Sequence, residues 1–181
     1  MALFVHLLSL VMGFGAVILI DILGALWIFK KVELSFVSRV ATITQPIIWA
    51  GWLGLVASGI VLVTQKGYVD NLTIIKLFLV TAVGINGFFL DHIKYALKEV
   101  RDNELPSPLL RFRIALASII SQIGWWGAIS IGFLHRHIEH YIPWPENPYA
   151  IIISFILLIP MIFLIGESLF GRRKIAKSLA L

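Results

Sequence analysis

Two nitrogen-bearing side chains, His6 and Lys76, lie just inside the starts of long apolar segments of this chain. A lysine within a hydrocarbon layer is costly, so its presence there points to a specific role. Neutral imidazole is the usual axial ligand of haem iron, and a neutral lysine amine can take the opposite position. The two residues therefore predict a shared ligand, with haem iron or another metal as the leading candidates.

Each residue also has a simpler interpretation. The ammonium group of Lys76 can extend to the lipid head groups while its methylene groups stay in the apolar layer, and His6 can be an ordinary interfacial residue. The sequence leaves both interpretations open.

Composition assigns the chain to the integral membrane class. Hydrophobic residues make up 59% of its 181 residues, and charged residues make up 14%. A helix needs about 20 apolar residues to cross a bilayer, and its backbone polar groups are then satisfied internally. Five runs meet this length, at residues 2–29, 43–64, 73–97, 114–134 and 149–170. The predicted fold class is all-α: an integral membrane bundle of five transmembrane helices, in one domain over residues 1–181.

Several classes of protein are disfavoured. The chain has no cysteine, which excludes disulfides, thiolate metal sites and iron–sulfur clusters held by this chain alone. The first apolar run has no basic start and no cleavage motif, so we expect a transmembrane helix and not a cleaved signal peptide. The net charge of +5 does not indicate nucleic acid, because the basic residues lie in the connections between spans. No internal repeat stands out.

The basic residues predict the orientation. Lys and Arg are concentrated in the first and third connections and in the C-terminal segment, whereas the second and fourth connections carry only Lys66 and Arg136. The positive-inside rule then places the N-terminus outside and the C-terminus in the cytoplasm. In this topology His6 and Lys76 lie at similar depth near the outer face.

Small residues predict where helices approach closely. They recur every four residues in the second and fourth spans, and the two sets are Ala50, Gly54 and Ser58, and Gly124, Ala128 and Gly132. The fifth span is apolar on all sides, with Pro160 as a predicted kink. We therefore expect the first four spans to form the functional bundle and the fifth to be peripheral.

Polar residues at the cytoplasmic ends of the first and third spans form a second candidate site, comprising Asp21, Asp91, His92 and Lys94. An ion pair between Asp21 and either His92 or Lys94 is one interpretation. A proton path or a second cofactor ligand is the alternative.

A run of basic residues follows the fourth span, with His135, Arg136, His137 and His140. Its imidazoles suit copper or zinc, and the same run can equally be a solvated surface. His135 can also replace Lys76 as the partner of His6, with Arg136 beside the haem propionates.

The first span, H-L-L-S-L-V-M-G-F-G from His6, resembles the opening helix of CopD-like and HemJ-like membrane proteins. The third span, K-L-F-L-V-T-A-V-G-I-N-G from Lys76, is similar to the helix of those families in which a lysine precedes an apolar stretch. The resemblance implies b-type haem with His6 and Lys76 as its ligands. It also implies porphyrinogen oxidation for the HemJ-like group or copper handling for the CopD-like group.

The leading functional hypothesis is a b-type haem protein of the bacterial inner membrane. It would transfer electrons between a membrane carrier, such as a quinone or a porphyrinogen-like donor, and an acceptor. One alternative is transport or handling of a divalent metal such as copper along Asn86, Gln122, Asp21 and Asp91. The other is a non-catalytic subunit of a larger complex. Membrane lipid is an expected partner, and homo-oligomers through the second, fourth or fifth helix are allowed.

Overall fold

The computed structural model describes residues 1–97, 99–100, 104–138 and 146–178, with side chains described up to residue 133 in the third of these ranges and residue 171 in the last. The regular structure in these ranges is helical, without strands. The five helices are α1 (Ala2–Ile28), α2 (Leu34–Lys66), α3 (Asn71–Leu97), α4 (Pro108–Ile138) and α5 (Pro148–Ser178). Each is long and apolar enough to cross a bilayer, which confirms the predicted fold class. The orientation of the termini stays a prediction.

Several helices are longer than the apolar runs that predicted them. Helix α2 begins at Leu34 and not at residue 43, and α5 continues to Ser178, beyond residue 170. Hydropathy identifies the part of a helix that suits lipid, whereas the backbone hydrogen bonds continue into polar sequence on either side. The predicted spans therefore mark the membrane portions and not the helix ends.

Prolines begin two of the helices. Pro148 is the first residue of α5. Proline suits this position because the first helical N–H has no partner within the helix. The Asn147 side-chain oxygen accepts a hydrogen bond from the Tyr149 N–H at 3.0 Å, which caps the start of α5. Pro108 begins α4 in the same way, and Ser107 Oγ accepts from the Leu110 N–H at 3.2 Å.

The helices belong to two compact units. The first contains α1 and α2, and the second contains most of α3 together with α4 and α5. The prediction of a single domain over residues 1–181 stays a prediction.

In the first unit, α1 and α2 are antiparallel and approach until their backbones touch. A Cβ atom built at Gly51 would lie 2.6 Å from Gly13 Cα and 2.8 Å from the Ser9 carbonyl oxygen. A Cβ at Gly54 would overlap Ser9 Oγ. The predicted small-residue face is therefore confirmed for Gly54, but Ala50 is exposed and Gly51 takes the interface position.

In the second unit, α3 packs antiparallel against α4. A Cβ at Gly124 would overlap the Val83 side chain, and Ala128 lies in a buried cluster with Ile75 and Leu79. These contacts confirm the predicted small-residue face of α4.

A buried amide adds a polar link between α3 and α4. Asn86 is 5% exposed, and its Nδ2 donates to the Ala117 carbonyl oxygen at 2.9 Å. This bond satisfies a side chain that would otherwise be costly at that depth.

The C-terminal part of α5 packs against the N-terminal part of α4. The Phe112 ring lies on Gly166. Arg113 donates two hydrogen bonds to Glu167, from Nε to Oε1 at 2.6 Å and from Nη2 to Oε2 at 2.8 Å. Only 6% of the most apolar window of α5 is buried, against 17–28% in the other helices. This exposure agrees with its uniformly apolar composition, and its position relative to the first four spans stays a prediction.

We expect Gly51→Ala to lower the stability of the full-length chain by about 1–3 kcal/mol. The new methyl group would meet backbone atoms of α1, which cannot rotate away as a side chain can. Thermal unfolding in detergent measures the loss. Gly24→Ala on α1 is the matched control, because nothing lies within 4 Å of its Cβ position. Equal melting temperatures for the two variants would contradict this packing.

We expect Asn86→Ala to cost about 0.6–1.7 kcal/mol, the range for interhelical hydrogen bonds in membranes. The loss follows from removing the bond to the Ala117 carbonyl. The same unfolding assay applies, with Thr81→Ala as the control, because this exposed side chain bonds to a carbonyl of its own helix, that of Leu77 at 2.9 Å. No difference between these variants would show that the amide bond contributes nothing to stability.

Candidate ligand-binding residues

His6 lies four residues after the start of α1, about 6 Å along the helix axis. The side chain is half-buried against α2, where Nδ1 lies 2.9 Å from Ser58 Oγ. A Cβ atom at Gly59 would lie 3.7 Å from His6 Cε1, so the ring rests beside a position without a side chain. The close packing of α1 on α2 thus fixes the imidazole against one turn of α2.

The hydrogen bonds of Ser58 identify Nδ1 as the donor nitrogen of His6. Ser58 Oγ lies 2.5 Å from the Gly54 carbonyl oxygen, which can only accept, so the hydroxyl hydrogen is donated there. The oxygen of Ser58 then accepts from Nδ1–H of His6. When the ring is neutral, this arrangement puts the lone pair on Nε2, as in many metal-binding histidines.

Lys76 lies five residues after the start of α3, about 8 Å along that helix. Its side chain is half-buried and extends over α4, where a Cβ at Gly132 would lie 3.1 Å from Nζ. Within the described part of the chain, Nζ has no hydrogen bond or ion pair. This environment suits both interpretations from the sequence, a ligand amine and a head-group contact.

The predicted pairing of His6 with Lys76 joins residues of the two units and stays a prediction. The same holds for the predicted ion pair of Asp21 with His92 or Lys94. Asp91 is half-buried near the C-terminal end of α3, and His92 is exposed. The proton path through these residues also stays a prediction.

The basic run after the fourth span is only partly described. His135, Arg136 and His137 lie in the final turns of α4, and His140 lies outside the described residues. Among the described residues, no group of three His, Cys, Asp or Glu side chains could hold a metal ion. The copper or zinc site and the role of Arg136 therefore stay predictions.

The mid-span amides have local partners. Asn86 bonds to the α4 backbone, and Gln122 Oε1 accepts from Trp126 Nε1 at 2.8 Å on the same helix. These bonds give both amides a structural role.

Ser58 is the residue at this site whose role sequence analysis missed. It was assigned only to helix packing, although its hydroxyl orients His6. A signal was present, because a serine on a small-residue face brings a hydroxyl to whatever lies on the neighbouring helix.

No known protein family matches this chain, and searches of curated proteins and of solved structures found no match either.

Proposed function

We propose that this chain is a b-type haem-binding membrane protein in which His6 is an axial ligand. The observation that carries the proposal is the chain of hydrogen bonds from His6 Nδ1 through Ser58 Oγ to the Gly54 carbonyl. It holds the ring in one orientation, and in the neutral ring it would leave the lone pair on Nε2. Ligating histidines characteristically donate their other N–H in this way.

The donor set of the chain fits haem better than a metal held by thiolates. There is no cysteine, and neutral imidazole is a common protein ligand of haem iron. Lys76 and His135 are the candidates for the second axial position, and Arg136 for a propionate contact. The resemblance of the first and third spans to CopD-like and HemJ-like proteins supports the same choice of cofactor.

Bound haem would supply one-electron transfer, and the protein would control which molecules reach it. His6 lies near one end of its helix, so the cofactor would sit close to one face of the membrane. We propose electron transfer between a membrane carrier, a quinone or porphyrinogen-like donor, and an acceptor at that face. The bacterial inner membrane is the proposed location.

We expect the full-length chain, expressed with added haem and purified in detergent, to show a Soret band. His6→Ala should lose most of that absorbance, because the axial nitrogen is removed. His92→Ala is the matched control, since His92 is exposed near the opposite end of its helix. A colourless wild-type protein, or a His6→Ala variant that retains its haem, would refute the proposal.

We expect Ser58→Ala to weaken haem binding about 10- to 100-fold, the usual effect of removing the partner of a ligating histidine. Titration of the haem-free protein, followed by absorbance, measures the change. Ser154→Ala is the control, because Ser154 bonds only to a carbonyl of its own helix, that of Ala150 at 2.7 Å. Equal affinities in the two variants would show that Ser58 does not orient the ligand.

A further inference from the structure

The second and fourth helices share a spaced pattern of residues. Residues 47–59 and 120–132 align without gaps and have the form I-x3-G-W-x-G-x4-G. The identical pairs are Ile47 and Ile120, Gly51 and Gly124, Trp52 and Trp125, Gly54 and Gly127, and Gly59 and Gly132. Each residue of the second segment lies 73 positions after its counterpart.

The contacts of the three glycine pairs repeat as well. Gly51 packs on Gly13, and Gly124 packs on Val83. The second glycines behave alike, since Gly54 meets Ser9 and Gly127 meets Leu79.

The third pair completes the correspondence. Gly59 lies beside His6, and Gly132 lies beside Lys76. The partner residues on α1 and α3 are 70 positions apart in all three cases.

Burial follows the same offset at three positions of α1 and α3. Ser9, Gly13 and Ala16 are buried in the first unit, and the residues 70 positions later, Leu79, Val83 and Asn86, are buried in the second. Asp21 and Asp91, both half-buried, also correspond at this offset. Other positions differ, since Ile75 is buried and Val5 is exposed.

We infer that α1–α2 and α3–α4 are two copies of one helical hairpin. In each copy the first helix presents a nitrogen-bearing side chain, His6 or Lys76, against the last glycine of the pattern on the second helix. Gly132 is the positioning residue for Lys76, and Gly59 lies within ordinary van der Waals distance of His6. This inference does not depend on haem, because it rests on register and contacts alone.

The copies differ next to the shared position. Ser58 accepts from His6 in the first copy, and Ile131 occupies the corresponding place in the second. The first copy therefore has an imidazole beside a hydroxyl, and the second has an amine and, at the position of the hydroxyl, an apolar residue. The register of the glycines is the same in both.

Disulfide trapping in the full-length chain tests the shared register, since no native cysteine interferes. The Cβ position of Gly54 lies 3.0 Å from Ser9 Cβ, and that of Gly124 lies 3.7 Å from Val83 Cβ. Disulfides need about 3.5–4.5 Å between Cβ atoms, so small adjustments suffice. We expect Ser9→Cys/Gly54→Cys and Val83→Cys/Gly124→Cys to oxidise in membranes.

Moving the second cysteine of each pair to an exposed residue of the same helix, from 54 to 50 and from 124 to 123, provides the controls. Ala50 and Ile123 precede the first glycines of the pattern and are exposed in both copies. Ser9→Cys/Ala50→Cys and Val83→Cys/Ile123→Cys should therefore stay reduced. A second copy that fails to cross-link at Gly124, or that cross-links equally at Ile123, would overturn the duplication. Loss of haem binding would not affect this result.

The positioning role of Gly132 has its own readout, the rate at which an amine-reactive ester labels Lys76, measured by mass spectrometry. A methyl group at residue 132 would lie 3.1 Å from Nζ, so the amine must shift by a few tenths of an ångström, and Gly132→Ala should change the rate relative to the wild-type chain. Gly171→Ala, with nothing within 4 Å of its Cβ, should leave the rate unchanged. In Gly59→Ala the new methyl group would lie 3.7 Å from His6 Cε1, an ordinary contact, so the rate at which a histidine-reactive reagent labels His6 should change only slightly. An unchanged Lys76 rate in Gly132→Ala would overturn the positioning role.

Discussion

Backbone contact between neighbouring helices is the constraint on which the rest of this structure depends. Lipid is as apolar as leucine, so burial of apolar surface does not drive helices together inside a membrane. Close van der Waals packing must do so, and it requires positions without side chains. Gly51 against Gly13 is the tightest example, because a single methyl group there would meet backbone atoms on the opposite helix.

This contact determines what the polar residues can do. With α1 held against α2, His6 reaches Ser58 at 2.9 Å, and the Ser58 hydroxyl is turned toward Gly54. A wider separation would leave the imidazole without this acceptor and its tautomer undefined. The hydrogen bond that His6 donates from Nδ1 therefore depends on Gly54 and Gly51, one and two turns away from Ser58 along α2.

Much of the architecture could be predicted from sequence, because the five membrane spans are a matter of length and hydropathy. The helix ends could not, since hydropathy carries no information about helix outside the lipid. The small-residue face of α2 was predicted one residue out of place, at Ala50 instead of Gly51. Residues three or four apart share a helix face, so Gly54 and Ser58 fit a face that contains either Ala50 or Gly51. Only the contact of Gly51 with Gly13 distinguishes the two faces.

The duplicated hairpin escaped sequence analysis for a related reason. Between the shared glycines most positions differ, as at Leu55 and Ala128, because lipid and helix interfaces accept many small and apolar side chains. The identical positions include glycines at which a side chain would collide, such as Gly51 and Gly124, together with one Ile pair and one Trp pair, and they are diluted in an almost uniform apolar background. The contacts of the helices reveal the duplication, because the register of each helix pair is the same even where the residues differ.

The copies differ at most positions, and at residues 6 and 76 the difference is one of chemistry. Packing allows little change at the glycines, but it does not specify which nitrogen base lies against the last of them. An imidazole requires a polar partner to fix its tautomer, and the first copy has Ser58 in that place. An amine has no tautomer to fix, and the second copy has Ile131 there instead. The hydroxyl of Ser58 is thus found in the copy with the imidazole, which needs it, and not in the copy with the amine. This difference is expected if His6 and Lys76 carry the function and the glycines only set the helix packing.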